Sequence, residues 1–243
     1  MKRIFVFLFF LWITPAMASD IQFDQTMTQQ MFKDFSQEAG ALVVYRGIGP
    51  VEPLGLTGFD IGVEATSTKI HGDRDYWKKS VKDQDPPSYL VSTRLHVQKG
   101  LPYGFDIGLA VGQVLEPNIT YAGGEVRYAI LKGGAVQPAV AVRGSYSQTL
   151  GVDQLDLKTY GLDLSISKGF GMGMKIIPYG GIGQYWISSK PKNLTAGLSL
   201  NEENFSKTQF FAGARLQIEI LTITGQVDYV EVPSFSLRVG ITW

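Results

Sequence analysis

The sequence predicts an all-β fold: an antiparallel up-and-down β-barrel of about ten strands, with a short amphipathic helix before it. Three observations carry this prediction. From residue 56 onward, apolar and polar residues alternate almost without interruption, as they do in strands whose two faces meet different surroundings. The connections are alternately short and glycine-rich or more variable in length. Glycine is abundant, at 28 residues, as tight turns require. Eight or twelve strands would fit the same pattern.

Composition excludes several classes of function. The chain has 243 residues with 22 basic and 22 acidic side chains, so no net charge attracts nucleic acid, and we expect no nucleic-acid partner. Cysteine is absent, which excludes disulfides, thiolate chemistry and cysteine-bound metal. With only two histidines in the chain, we expect neither a metal site nor a cofactor.

The N-terminus has the organisation of a secretory signal. Lys2 and Arg3 precede an apolar run of ten residues, and a small-x-small pattern ends at Ala18, after which we expect cleavage. Ten residues are too few for a membrane-spanning helix, which needs about 20. The exported chain can therefore enter a membrane only as a barrel.

Residues 20–39 predict a helix with Asp24 as its N-cap, and residues 40–55 predict a linker. Its apolar side chains form one stripe: Phe23, Met27, Met31 and Phe35, with Phe32 beside them. Because the helix directly precedes the first strand, we expect it to dock at the periplasmic mouth, beside the short turns. A helix lying flat on the membrane would present the same stripe.

The alternating stretches follow one another to the end of the chain. They lie at about residues 56–70, 88–98, 105–112, 125–130, 140–146, 160–167, 175–187, 210–219, 223–229 and 234–243. Because the number of strands is even, the chain enters the first strand and leaves the last strand on the same side of the membrane. We therefore expect a signal at residues 1–18, a helix and linker at 19–55 and the barrel at 56–243.

Alternation alone leaves open which face points outward, because a soluble barrel would place its apolar face inside. The polar face here consists mostly of Gly, Ala, Ser and single arginines, which suit a crowded interior better than a water-facing surface. Lysines cluster instead at the turns, where a membrane surface would meet them. We therefore expect the apolar face to meet lipid. The expected charged lumen network comprises Glu64, Arg94, His96, Asp106, Glu125, Arg127, Arg143, Asp163, Arg215, Glu219, Asp228 and Arg238.

The last ten residues form a regular alternating strand that ends in an aromatic residue. Its apolar face consists of Phe235, Leu237, Val239, Ile241 and Trp243. This stretch resembles the closing strand of small bacterial outer-membrane β-barrel proteins, of OmpA- or OmpW-like architecture, although most families end in Phe. The resemblance implies a Gram-negative outer-membrane location. It also implies recognition by the barrel assembly machinery and periplasmic chaperones, and contact with outer-membrane lipids and lipopolysaccharide.

Three functions remain open at this point. The first is a non-enzymatic barrel, either structural or a narrow pore for ions or small solutes, since ten strands leave a narrow lumen. The second is an omptin-like or lipid A-modifying hydrolase at the rim, with His71, Asp73 and Asp75 as weak catalytic candidates. The third is a surface receptor or adhesin that uses the loops at residues 71–87 and 188–207, the second of which is unusually apolar.

Overall fold

The computed structural model describes residues 21–81 and 86–243. The predicted signal at residues 1–18 lies outside the described residues. The elements in chain order are α1 (Gln29–Val43), β1 (Phe59–Lys69), α2 (Asp75–Lys78), β2 (Tyr89–Gly100), β3 (Phe105–Val114), β4 (Ile119–Lys132), β5 (Ala139–Leu150), β6 (Leu155–Ser167), β7 (Met174–Pro191), β8 (Glu203–Ile218), β9 (Leu221–Tyr229) and β10 (Pro233–Thr242). No helix in the described ranges is both long and apolar enough to cross a membrane.

The ten strands form one closed antiparallel barrel, as predicted. Each strand pairs with its sequence neighbour, and β1 closes the ring against β10 with Glu64 opposite Arg238. Closure removes the unpaired strand edges that an open sheet would expose. We call one end the turn end: it carries the short connections after β2, β4, β6 and β8, together with Trp243. The opposite end, with residues 70–88 and 192–202, is the loop end.

The two faces of the barrel wall have the predicted orientation. Along β10, Phe235, Leu237 and Val239 are each more than half exposed on the outside, whereas Ser236 and Arg238 are buried inside. The same inversion holds along β3 and along the turn-end half of β6, where Leu109, Leu162 and Leu164 point outward. An apolar outside around a polar inside is the arrangement of a barrel that lies in lipid.

The helix differs from its predicted limits. Its N-cap is Thr28, whose hydroxyl accepts a hydrogen bond from Met31 N at 3.3 Å. Asp24 instead forms a local turn by accepting from the backbone and hydroxyl of Thr26. The helix continues through Gly40 to Val43, because at Gly40 it packs so closely on the wall that a Cβ would lie 2.9 Å from Ile187.

The expected position of the helix at the mouth beside the short turns is wrong: α1 lies inside the loop end. Phe32 and Phe35 are fully buried there, in one core with inward-facing side chains of the wall such as Leu155, Leu157 and Ile187. The inner wall is apolar at the loop end and charged farther down. The apolar stripe of α1 can therefore be buried against apolar side chains only at the loop end.

Candidate functional site: the occupied lumen

Residues 44–58 run through the lumen from the loop end to the turn end. At the start of the path, the Tyr45 hydroxyl and His96 Nε2 are hydrogen-bonded at 3.0 Å. Farther down, the carbonyl of Pro50 accepts from Arg127 Nη1 at 3.1 Å. Leu54 N then donates to Asp106 Oδ1 at 3.1 Å, just before β1 begins. The segment predicted as a linker therefore occupies the bore.

Two glycines let this segment pass the arginines of the wall. A Cβ on Gly47 would lie 0.9 Å from Arg143 Nη1, and one on Gly49 would lie 2.4 Å from Arg215 Nη2. Gly49 also has a φ of 150°, which disfavours other residues. The Gly-Ile-Gly sequence at this point therefore fits a backbone that passes directly beside two guanidinium groups.

The wall arginines and carboxylates form the predicted ion-pair network. The pairs are Arg94–Glu64 at 2.5 Å, Arg238–Glu64 at 3.1 Å, Arg215–Asp60 at 3.0 Å, Arg127–Asp106 at 2.8 Å, Arg143–Asp163 at 2.7 Å and Arg143–Glu125 at 3.3 Å, together with Arg238–Asp60. The ring of His96 lies between two of these acids, 3.4 Å from Glu64 and 3.9 Å from Glu125. Burial in a narrow bore requires such pairing, because an unpaired buried charge is costly.

The network differs from the predicted one at three positions. Glu219 is not in the lumen: it occupies the exposed turn between β8 and β9, with a positive φ of 53°. Strand β8 ends one residue earlier, at Ile218, so the alternation no longer decides where Glu219 points. Two residues of the network are absent from the predicted set. One is Asp60 of β1, which pairs with Arg215 and Arg238. The other is Arg46, whose segment has no periodicity to mark it.

Arg46 joins the threaded segment to the wall and to the helix. Its Nε donates to Asp228 at 3.0 Å, and its Nη2 donates to Ser234 at 3.0 Å and to the Ala41 carbonyl at 2.5 Å. Arg46 is 3% exposed. With it, the described part of the lumen holds six arginines and six carboxylates: Arg46, Arg94, Arg127, Arg143, Arg215 and Arg238 against Asp60, Glu64, Asp106, Glu125, Asp163 and Asp228.

A second set of contacts ties α1 to residues 70–88, the first connection at the loop end. Glu38 is 4% exposed and accepts four hydrogen bonds. The donors are His71 N at 3.1 Å, His71 Nδ1 at 2.5 Å, Tyr76 Oη at 2.9 Å and Trp77 Nε1 at 2.6 Å. Burial, followed by the hydrogen bond to Glu38 and its charge, raises the pKa of Tyr76. We call this cluster the Glu38 latch.

The latch also changes the interpretation of the rim candidates. His71 bonds to Glu38, whereas Asp73 and Asp75 are exposed and make no recorded hydrogen bond or ion pair with it in the described ranges. No group of three or more potential metal ligands occurs among the described residues. His71 is therefore oriented by Glu38, and not by Asp73 or Asp75.

The apolar second loop folds back onto the protein. Strands β7 and β8 extend to Pro191 and from Glu203, so the connection between them is residues 192–202. Its apolar side chains pack on the helix core: Leu194, Leu198 and Leu200, with Phe205 of β8. These side chains therefore help to cover the loop end.

A cavity of about 220 Å³ remains at the turn end, below the threaded segment. Its lining includes Gly47, Ile48 and Gly49 on one side, and wall groups on the other. The charged wall groups are Asp60, Glu125, Arg127, Arg143, Lys175, Arg215 and Arg238, with Glu52 of the threaded segment.

No known family model matches the chain, and neither does any curated protein sequence. Among solved structures, the N-terminal β-barrel domain of Pseudomonas aeruginosa OprF is similar, with 13% identity over 78% of this chain and 99% of that chain, and a TM-score of 0.35. The KdgM porin, solved in complex with disordered oligogalacturonate, has 9% identity over 77% of this chain and 98% of its own, with a TM-score of 0.38. Neisserial surface protein A has 12% identity over 76% of this chain and 95% of its own, with a TM-score of 0.34. These are outer-membrane barrels, and this chain is likewise a small closed antiparallel barrel.

Proposed function

We propose that this protein is an integral outer-membrane β-barrel that is closed at rest, because its own N-terminal segment fills the lumen. One observation carries the proposal: residues 44–58 run the length of the bore and are hydrogen-bonded to its wall at each level. We call residues 29–58 the plug, meaning α1 and the threaded segment together. The barrel is then a structural protein or a gated narrow pore, and not a freely open one.

The outer-membrane location is supported by the apolar outside of the wall and by its aromatic residues. Tyr160, Trp186 and Tyr229 are about half exposed toward the loop end, and Trp243 is similarly exposed at the turn end. Tyrosine and tryptophan favour the two membrane interfaces. We propose accordingly that residues 1–18 are removed on export, that residues 19–55 form the helix and linker region and that residues 56–243 form the barrel. Insertion would use the assembly machinery, with outer-membrane lipids and lipopolysaccharide as surroundings.

Planar-bilayer recording tests the closed state. The folded mature chain is compared with a variant that lacks residues 21–55, and circular dichroism checks that both are folded. We expect background current from the mature chain and steady conductance from the deletion variant.

A matched control removes residues 134–136 from the exposed turn between β4 and β5 and leaves the plug in place. This control should stay silent in the bilayer. Steady conductance from the unaltered mature chain, equal to that of the plug deletion, would contradict a closed barrel.

A further inference from the structure

The cavity at the turn end contains hydrogen-bond donors without acceptors. The recorded hydrogen bonds of Arg143 use Nε and Nη1, and those of Arg215 use the same two atoms. Arg238 uses Nη2, and its Nε faces Glu64. The remaining terminal nitrogens of these three side chains have no recorded partner among the described residues. A guanidinium carries five N–H donors and no acceptor, so these side chains leave hydrogen-bond donors in excess of acceptors.

Of the three carboxylates that line the same cavity, Glu52 lies on the threaded segment, and the two on the wall, Asp60 and Glu125, are already occupied. Asp60 accepts from Arg215, Arg238 and Thr242. Glu125 accepts from Gln98 on one oxygen and from Arg143 on the other. These acids therefore have little capacity left to receive the surplus donors.

The threaded segment adds donors from its backbone. Gly47, Ile48 and Gly49 line the cavity, and their backbone amides have no recorded acceptor in the described part of the chain. Gly47 and Ile48 are buried. More than nine in ten buried backbone N–H groups in proteins are paired. Consecutive amides without a protein acceptor, beside arginine side chains, point to a ligand that accepts hydrogen bonds.

We propose that this cavity binds a small oxyanion of the phosphate or sulfate type. Several oxygens on one tetrahedral anion match donors that converge from the wall and from the threaded backbone. Lys175, exposed on β7 at the cavity rim, adds a positive charge to the lining, and Glu52 adds a negative charge. Because the anion would touch both Gly47–Gly49 and the wall arginines, it would bind the plugged form of the barrel.

Isothermal titration calorimetry of the folded mature protein with inorganic phosphate tests the proposal, against sodium chloride at equal ionic strength. We expect saturable heat with phosphate and none with chloride. Arg143→Lys and Arg215→Lys keep the charge but lose the planar fork. Each should weaken phosphate binding about tenfold to a hundredfold, the range for hydrogen bonds to charged groups. The exposed Lys158→Met at the loop end is the matched control and should bind like the wild type.

A third variant, Lys175→Met, covers the case in which an arginine variant fails to fold, because this side chain is exposed at the rim. It should weaken binding several-fold at low salt and less at high salt. The proposal is overturned if phosphate gives no more heat than chloride. It is also overturned if the folded arginine variants and Lys175→Met all bind phosphate as tightly as the wild type does.

Discussion

Replacing Arg46 with alanine should release the plug without unfolding the barrel. Arg46 is the charged side chain of the threaded segment that pairs with a buried carboxylate of the wall, Asp228, at 3.0 Å. It also holds the end of α1, through the carbonyl of Ala41. The strands of the barrel keep their own ladders and ion pairs in the variant, so the change should act on plug docking alone.

The size of the effect follows from burial. Both partners are almost fully buried, and removing one leaves Asp228 as an uncompensated charge. Such a change costs about 3 to 5 kcal/mol, or about a hundredfold to a few thousandfold in the docking equilibrium. Removing both partners, in Arg46→Ala with Asp228→Ala, should recover part of this loss, because no unpaired charge then remains.

Hydrogen exchange followed by mass spectrometry measures the docking equilibrium directly. Protection of residues 29–58 should fall by the factor above, while protection of β3 to β6 stays unchanged. Arg74→Ala, at an exposed position, is the matched control and should leave both regions as they are. The reasoning fails if Arg46→Ala leaves the plug as protected as in the wild type, or if protection falls equally over all ten strands.

Three further changes test other parts of the account. Gly47→Ala places a methyl group on Arg143 and should give current in bilayer recordings. Gly134→Ala, where a Cβ meets nothing within 4 Å, should give none. A Gly47→Ala barrel without current would contradict the close passage of the threaded segment beside Arg143. Glu38→Ala removes the acceptor of four hydrogen bonds, and each buried donor left unsatisfied costs about 1 to 3 kcal/mol of stability. Residues 71–81 should therefore exchange faster in hydrogen-exchange measurements. Unchanged exchange would contradict the latch. Leu237→Lys puts a charge on the outside of the wall and should destabilise the barrel in lipid by about 2 to 4 kcal/mol in urea titrations. Leu237→Met should have little effect. Equal stability of the two variants would argue against lipid contact.

The barrel itself could be predicted because alternation is a direct physical record of its two faces. In β10, each apolar residue from Phe235 to Ile241 lies outside, and Ser234, Ser236 and Arg238 lie inside, as their spacing indicated. The mid-strand arginines and acids were predictable for the same reason. A polar side chain on the inner face of a narrow barrel has little else to contact than its neighbours across the strands.

The path of the N-terminal segment could not be predicted in the same way. Residues 44–58 have no periodicity, since their position depends on contacts with seven wall residues on six strands and not on their own pattern. A signal for the helix position did exist. Leu155 and Leu157 share a face with Asp163, so the inner wall becomes apolar toward the loop end. That change marks the only apolar interior, among the described residues, that is large enough for the stripe of α1.

The most direct test of the threaded plug is a disulfide between the helix and the wall. The hydroxyls of Ser36 on α1 and Ser189 on β7 are 2.7 Å apart and buried, and the chain has no cysteine of its own. In Ser36→Cys with Ser189→Cys, we expect a disulfide under mild oxidation, detected by mass spectrometry of the folded protein. In Ser36→Cys with Ser167→Cys, whose second position lies at the turn end, we expect none. A disulfide in the second pair and not in the first would place the helix at the opposite mouth and contradict the central claim.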